Sequence, residues 1–371
     1  MAEQGELTHF ALDAARLDDV SDYVAVAIRQ NYPDLQIPYH SRWRHFEAGG
    51  IDRWAGLARQ LHGRGVSEVA RARVDLCTVS VLLDAGVGAA WRYPEPDTGL
   101  VLQRSEGLAV ASLHAFQSGL FSSDPQQPMR ADAAALLRIS DADLAVAFQE
   151  APNNPLPGLA GRAALLRNLG TVLQDGRIGD LLETWYKQAS NGVLTAADVL
   201  STILDVLAPI WPGRLKLAGE NLGDVWLHPG LPGDGLVPFH KLSQWLCYSL
   251  IEVLEQASIT VTGLDGLTGL AEYRNGGLFI DLGVLRLRDR SVASQPLPVD
   301  HPAIIEWRAL TVALLDALAP RLRSRLGVSA GDMPLAKLLQ GGTWDAGRRI
   351  ARERRPDGSP PLVVISDGTV F

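Results

Sequence analysis

The chain has 371 residues, of which 47% are hydrophobic and 20% charged, with a formal net charge of −8. That is enough apolar sequence for one large core or two ordinary ones, and the acidic balance excludes a nucleic-acid backbone as the main partner. With only two cysteines, Cys77 and Cys247, the chain cannot build a disulfide framework or a Cys-based zinc site.

The first residues, MAEQGELTHFALDAARLDD, carry acids where a secretory signal needs a basic start and an apolar block. No window reaches 18 uninterrupted apolar residues, so no membrane partner is expected and a cytoplasmic protein is. Residues 8–30 place Phe10, Leu17, Val24 and Ile28 at helical spacing until Asn31-Tyr-Pro33 stops the run. Segment 48–54, A-G-G-I-D-R-W, reads as a helix break followed by an Asp52 cap. The spacing predicts a helix over 66–92, opened by Ser67, and further helices over 106–120, 131–150, 158–174, 180–190 and 195–209. Pro- and Gly-rich breaks interrupt them, and the one at 152–158 suggests lobes at 1–155 and 156–371.

Beyond it, 238–257, 301–326 and 345–355 read as helices. Strand signals are confined to Thr260-Val-Thr, to Leu278-Phe-Ile, and to a C-terminal hairpin turning at Asp367-Gly368. The fold class expected is therefore mainly α, with a small C-terminal β-hairpin.

Several motifs fail. G-V-S-A-G at 327–331 has the string of a nucleophile elbow, but a basic helix end precedes it where a strand is required, and Gly327 suits a C-cap. The histidines lack metal-ligand spacing, and there is no phosphate-binding loop, so neither a metal nor a cofactor is expected.

What remains is L-A-E-Y-R-N-G-G-L-F-I-D-L-G-V-L at 270–285, where Glu272, Tyr273, Arg274 and Asn275 stand before two glycines and an apolar run holding Asp281. Lys241 and Gln244 lie one turn apart on the preceding helix, and Glu306 and Arg308 interrupt an apolar helix beyond. Buried charges must be paired or solvated, so Glu272, Arg274, Glu306 and Arg308 are expected to neutralise one another, as structural ties or as a site.

The order F-H-K-L-S-Q, then A-E-Y-R, then E-W-R-A-L-T over 238–316 resembles the C-terminal half of the queuosine-5′-phosphate N-glycosylase family. A closer resemblance, along nearly the whole chain, is to the uracil-catabolism protein 4 family. It is carried by S-R-W-R-H-F-E-A-G-G-I-D-R-W at 41–54, V-D-L-C-T-V-S-V-L-L-D-A-G-V-G-A-A-W-R-Y at 74–93, S-E-G-L-A-V-A-S-L-H-A-F at 105–116, 272–285, G-G-T-W-D-A-G-R at 341–348 and the terminal S-D-G-T-V-F. Together the resemblances imply a helical core like that of helix-hairpin-helix DNA glycosylases. They also imply a small nucleoside- or nucleotide-like substrate, and cleavage of the C1′–N bond of a ribosyl-urea, with or without a 5′-phosphate.

Such a reaction builds positive charge on the sugar, so a carboxylate must face C1′. Glu272 stands where the glycosylase relatives have aspartate, one methylene longer, and Asp281, amid apolar neighbours, competes with it. Arg274 and Lys241 would serve a phosphate, Gln244 and Tyr273 the sugar hydroxyls, with Glu306 and Arg308 beside them. His45, Glu47 and Asp84 would meet the ureido group with Trp91 as a wall, and Trp344 and Arg348 would reach the same cleft. Two other readings stand beside this one: an amidohydrolase cutting the ureido group, and a binding protein without turnover.

Overall fold

The computed structural model describes residues 1–87, 90–365 and 368–369. It is mainly helical, and its strands are two or three residues long and occur in pairs. Among the described residues, no helix is long and apolar enough to cross a membrane.

Cα packing groups the chain into two compact units that a single cut cannot separate. The first holds Met1–His40, Asp224–Lys241 and Leu264–Ile365; the second holds Ser41–Gly223, Leu242–Gly263 and the terminal residues. This differs from the division expected at 155/156, and the reason is the N-terminal segment. Strand Phe10–Leu12 pairs antiparallel with Leu285–Leu287, and helix Leu17–Asn31 packs on the 25-residue helix Pro302–Leu326. The first forty residues thereby close the core of the C-terminal helices.

In the first unit, helix Tyr273–Asp281 packs against both Pro302–Leu326 and Trp344–Arg354. Glycines permit that approach. A Cβ on Gly347 would collide with the Arg274 carbonyl oxygen, and one on Gly276 would fall 2.6 Å from Thr311 Oγ1. Helix Pro302–Leu326 starts at Pro302, where a missing N–H costs nothing, and ends as expected at Gly327 in the left-handed region (φ 70°).

In the second unit, Val66–Leu82 runs through the centre with twelve buried residues, beside Arg104–Gln117 and Leu159–Leu173. Buried Arg–carboxylate pairs, Arg42–Asp84, Arg53–Glu95 and Arg177–Asp75, cross-link these segments. Asp52 caps Arg53–Gln60 by accepting from the Ala55 N–H at 2.9 Å, as its sequence context indicates.

Three local expectations are corrected. The 66–92 helix ends at Leu82, and its N-cap is Gly65 rather than Ser67. The 131–150 segment splits into Ala133–Leu136 and Asp141–Ala147, because Ser140 and Asp143 form a capping box that starts a new helix. Leu278-Phe-Ile is helical, not extended, since Glu272 caps a helix running through it. Val364–Ile365, where the expected hairpin begins, pairs in parallel with Leu297–Pro298. The Asp367 turn of the expected hairpin lies outside the described residues.

Candidate active site

Glu272 sits at the N-cap of Tyr273–Asp281 with extended backbone (φ −119°, ψ 159°). Its Oε2 accepts the Arg274 N–H at 2.7 Å and its Oε1 the Asn275 N–H at 2.5 Å. These amides have no partner inside the helix, and the positive end of the helix dipole favours an anion there. The side chain is buried. Burial raises its pKa above the usual carboxylate value, while the two amides, the Lys241 charge and Arg274 work against that rise. A carboxylate has lone pairs for about four hydrogen bonds, so capping leaves each oxygen able to accept another.

Lys241 opens helix Lys241–Gln256, and its backbone N–H donates to Asp224 Oδ2 at 3.0 Å. Asp224 is itself buried. It takes both Arg308 Nη atoms at 2.9 and 2.8 Å and Trp226 Nε1 at 2.6 Å, and Arg308 lies 4.0 Å over the Phe239 ring. Burial alone would raise the Asp224 carboxyl, but Arg308 and the hydrogen bonds outweigh it and hold the carboxyl below the usual range. The Asp224–Arg308 pair therefore fixes the backbone from which Lys241 projects.

His40 completes the group. Its Nδ1 is 2.9 Å from Gln340 Oε1, its ring centroid is 5.7 Å from that of Trp344, and Arg348 lies 4.6 Å over Trp344. Burial lowers the His40 pKa to about 4; Gln340 opposes the shift and the Lys241 charge adds to it. Lys241 thus acts electrostatically on both Glu272 and His40, which ties the three groups to one locale. Burial acts on two titratable groups in opposite senses, raising the Glu272 carboxyl and lowering the His40 imidazole, beside the Trp344 indole.

Of the residues singled out from sequence, Glu272, Tyr273, Arg274, Lys241, Trp344 and Arg348 all belong to this unit. Of the mutual neutralisation expected of Glu272, Arg274, Glu306 and Arg308, the Arg274 charge acts on Glu272, while Glu306 and Arg308 are held by other partners. Arg274 is buried, donates to the Gly358 carbonyl at 2.8 Å and stacks 4.9 Å over Tyr273. Glu306 accepts the N–H groups of Thr8, His9 and Phe10 at 2.9–3.0 Å, so it anchors the first strand. Arg308 serves Asp224. Asp281 does not stand alone among apolar neighbours: it receives Arg355 bidentately at 2.8 and 2.6 Å, because the chain after Arg354 turns back over the helix end.

The remaining candidates fall in the second unit. Gln244 is buried there. His45 meets the Trp245 ring edge-on at 5.4 Å, and Glu47 pairs with Arg44 at 3.1 Å. Asp84 accepts Arg42 at 2.7 Å and Ser105 Oγ at 3.1 Å. Trp91 is fully buried with its Nε1 on the Phe148 carbonyl, which makes it core and not a cavity wall.

Sequence reasoning missed His40, Gln340 and Asp224, and it gave Asn275 no role. Asn275 is fully buried, and its Oδ1 accepts Thr343 Oγ1 at 2.8 Å, so Thr343 bridges two helices rather than capping its own. Thr343 ends a π-helical turn, Leu339–Thr343, which places Gln340 against His40. The Y-H-S-R-W string at 39–43 and G-D-V-W at 223–226 were the available signals, since a lone His or Asp beside a Trp needs a partner when buried. Among the described residues, no three His, Cys, Asp or Glu side chains group as a metal site.

The family model described as "Protein of unknown function (DUF1688)" matches residues 1–371. Protein urg3 of Schizosaccharomyces pombe is 41% identical over 379 residues, covering 100% of this chain and 94% of its own. Uracil catabolism protein 4 of Lachancea kluyveri is 39% identical, covering 99% of this chain and 93% of its own. Queuosine 5′-phosphate N-glycosylase/hydrolase of Sphaerobacter thermophilus is 26% identical over 286 residues, covering 75% of this chain and 78% of its own.

Proposed function

The chain belongs to the family described as "Protein of unknown function (DUF1688)", and from that membership we propose that it acts in uracil catabolism, hydrolysing the C1′–N bond of a ribosyl-urea. The observation that carries the reading is Glu272. It is a buried carboxylate held by two helix amides within the field of Lys241, on the part of the chain that resembles an N-glycosylase.

In this reaction the leaving nitrogen takes the C1′–N electron pair and a proton, water supplies the oxygen bonded to C1′, and the products are urea and the free sugar. Glu272 faces C1′ and stabilises the developing oxocarbenium charge; it receives one proton of the attacking water, and that proton goes on to the leaving nitrogen, which closes the balance. Its capped geometry fixes the carboxylate before substrate arrives, so little reorganisation is needed at the moment of reaction. Burial favours proton uptake by this carboxylate, and the Lys241 charge opposes it. Lys241 also provides the cation for a 5′-phosphate. Tyr273 and Trp344 offer a hydroxyl and a ring face for the sugar. Asp281, held bidentately by Arg355, is assigned no chemical step.

The test is incubation with ribosyl-urea, with and without a 5′-phosphate, following urea and reducing sugar together. The expected result is one urea per sugar, with Glu272→Gln slower by about 10²–10⁴-fold, the usual worth of a positioned acid or base, and Asp281→Asn within a few-fold of the parent. Loss in Asp281→Asn but not in Glu272→Gln overturns the assignment. Ammonia as first product favours ureido cleavage, and saturable binding without turnover favours a binding protein.

A further inference from the structure

The second unit contains a cavity of about 290 Å³ that the proposed reaction does not use. Four elements line it: the turn Arg42–Phe46, helix Arg53–Gln60, helix Val66–Leu82 and the later part of Lys241–Gln256. Trp43, Phe46 and Trp54 form its aromatic walls, with Trp43 edge-on to both other rings at 5.4 Å. Arg73 is a buried cation on this lining. Its guanidinium lies 4.2 Å over Trp43 and 5.4 Å over Trp54, and its Nε is buried without a hydrogen-bond partner.

We infer that this cavity is a second small-molecule site, for a neutral planar amide or ureide that presents C=O and N–H groups in one plane. The volume sits at the lower end of the range for ligand pockets, which suits one small ring and not a nucleotide. The aromatic walls offer faces and edges to a planar ligand. Arg73 supplies a donor for a carbonyl. Acceptors for N–H groups come from Glu47, Asp52 and Glu252 on the same lining. Arg44 already pairs with Glu47 at 3.1 Å and Glu252 at 3.3 Å, so both signs of charge are present and nearly balanced. An anion would face three carboxylates, and a cation would meet Arg73. A neutral ligand with both kinds of group engages each without that repulsion.

Calorimetric titration of the full chain with uracil, a cyclic ureide, tests this, with benzoate and benzamidine as planar charged controls. We expect one saturable uracil site, with both controls at least tenfold weaker. Arg73→Met should weaken uracil at least tenfold. Glu47→Ala, a half-exposed position that does not threaten the fold, should weaken it at least threefold. Glu272→Gln, in the other unit, should leave it unchanged. The proposal is overturned by absent saturation, by equal binding of either charged control, by binding that survives both cavity substitutions, or by binding that disappears in Glu272→Gln.

Discussion

Removing the Asp224 carboxylate should be among the most damaging single changes in the first unit. Asp224 receives four hydrogen bonds, two from Arg308, one from Trp226 and one from the Lys241 backbone, and both charged partners are nearly solvent-free. Asp224→Ala strands a buried guanidinium, which costs about 3–5 kcal/mol. It also orphans the indole N–H and a helix N-terminal amide at about 1 kcal/mol each. The sum is about 5–7 kcal/mol, read as a lower urea midpoint at unchanged m. Asp224→Asn keeps an acceptor and should fall between. The double variant Asp224→Ala with Arg308→Met should regain at least about 2 kcal/mol of the loss, since no charge is left to strand beside Phe239. A loss below about 1 kcal/mol in Asp224→Ala, or strict additivity in the double variant, would be incompatible with this account. The folded-state pKa of Asp224 is depressed, so its contribution is present above the unfolded carboxyl value and fades as pH falls through the folded one.

His40 makes a separate pH prediction. With its folded pKa lowered from 6.5 to about 4, the folded state binds fewer protons in that window. Stability should drop by up to about 3 kcal/mol between pH 7 and 4, and His40→Gln should remove that component from the pH profile of the urea midpoint. Gly347→Ala drives a methyl into the Arg274 carbonyl oxygen, so the two helices must separate; a loss of about 1–3 kcal/mol and lowered activity through Glu272 are expected, and an unchanged melting curve would contradict it. Glu306→Gln keeps an acceptor for part of the Thr8–Phe10 amide cluster but loses the charge. It should expose the first strand, seen as faster amide exchange at those three residues, and equal exchange would remove Glu306 from its anchoring role.

The helical class is legible in the sequence alone, because apolar residues at a 3.6 period can be buried only on helix faces. So are the caps whose chemistry is local, Asp52 and Gly327, and the chemical density of the stretch from Glu272 to Asn275. Which element that stretch forms is not legible there. Leu278-Phe-Ile is strand-like alone and helical here because the Glu272 carboxylate satisfies the first amides of a helix. The partnerships of charge come from packing. Arg308 chooses Asp224, Glu306 chooses three N-terminal amides, and Asp281 chooses Arg355, each across 74 to 298 residues of chain. Local spacing carries no information about such pairs, since ion pairing depends on distance in space and on shared desolvation. The same reason hid His40 and Gln340: neither neighbours Glu272 in sequence, and only the packing of the first forty residues against the C-terminal helices puts them in one unit with it.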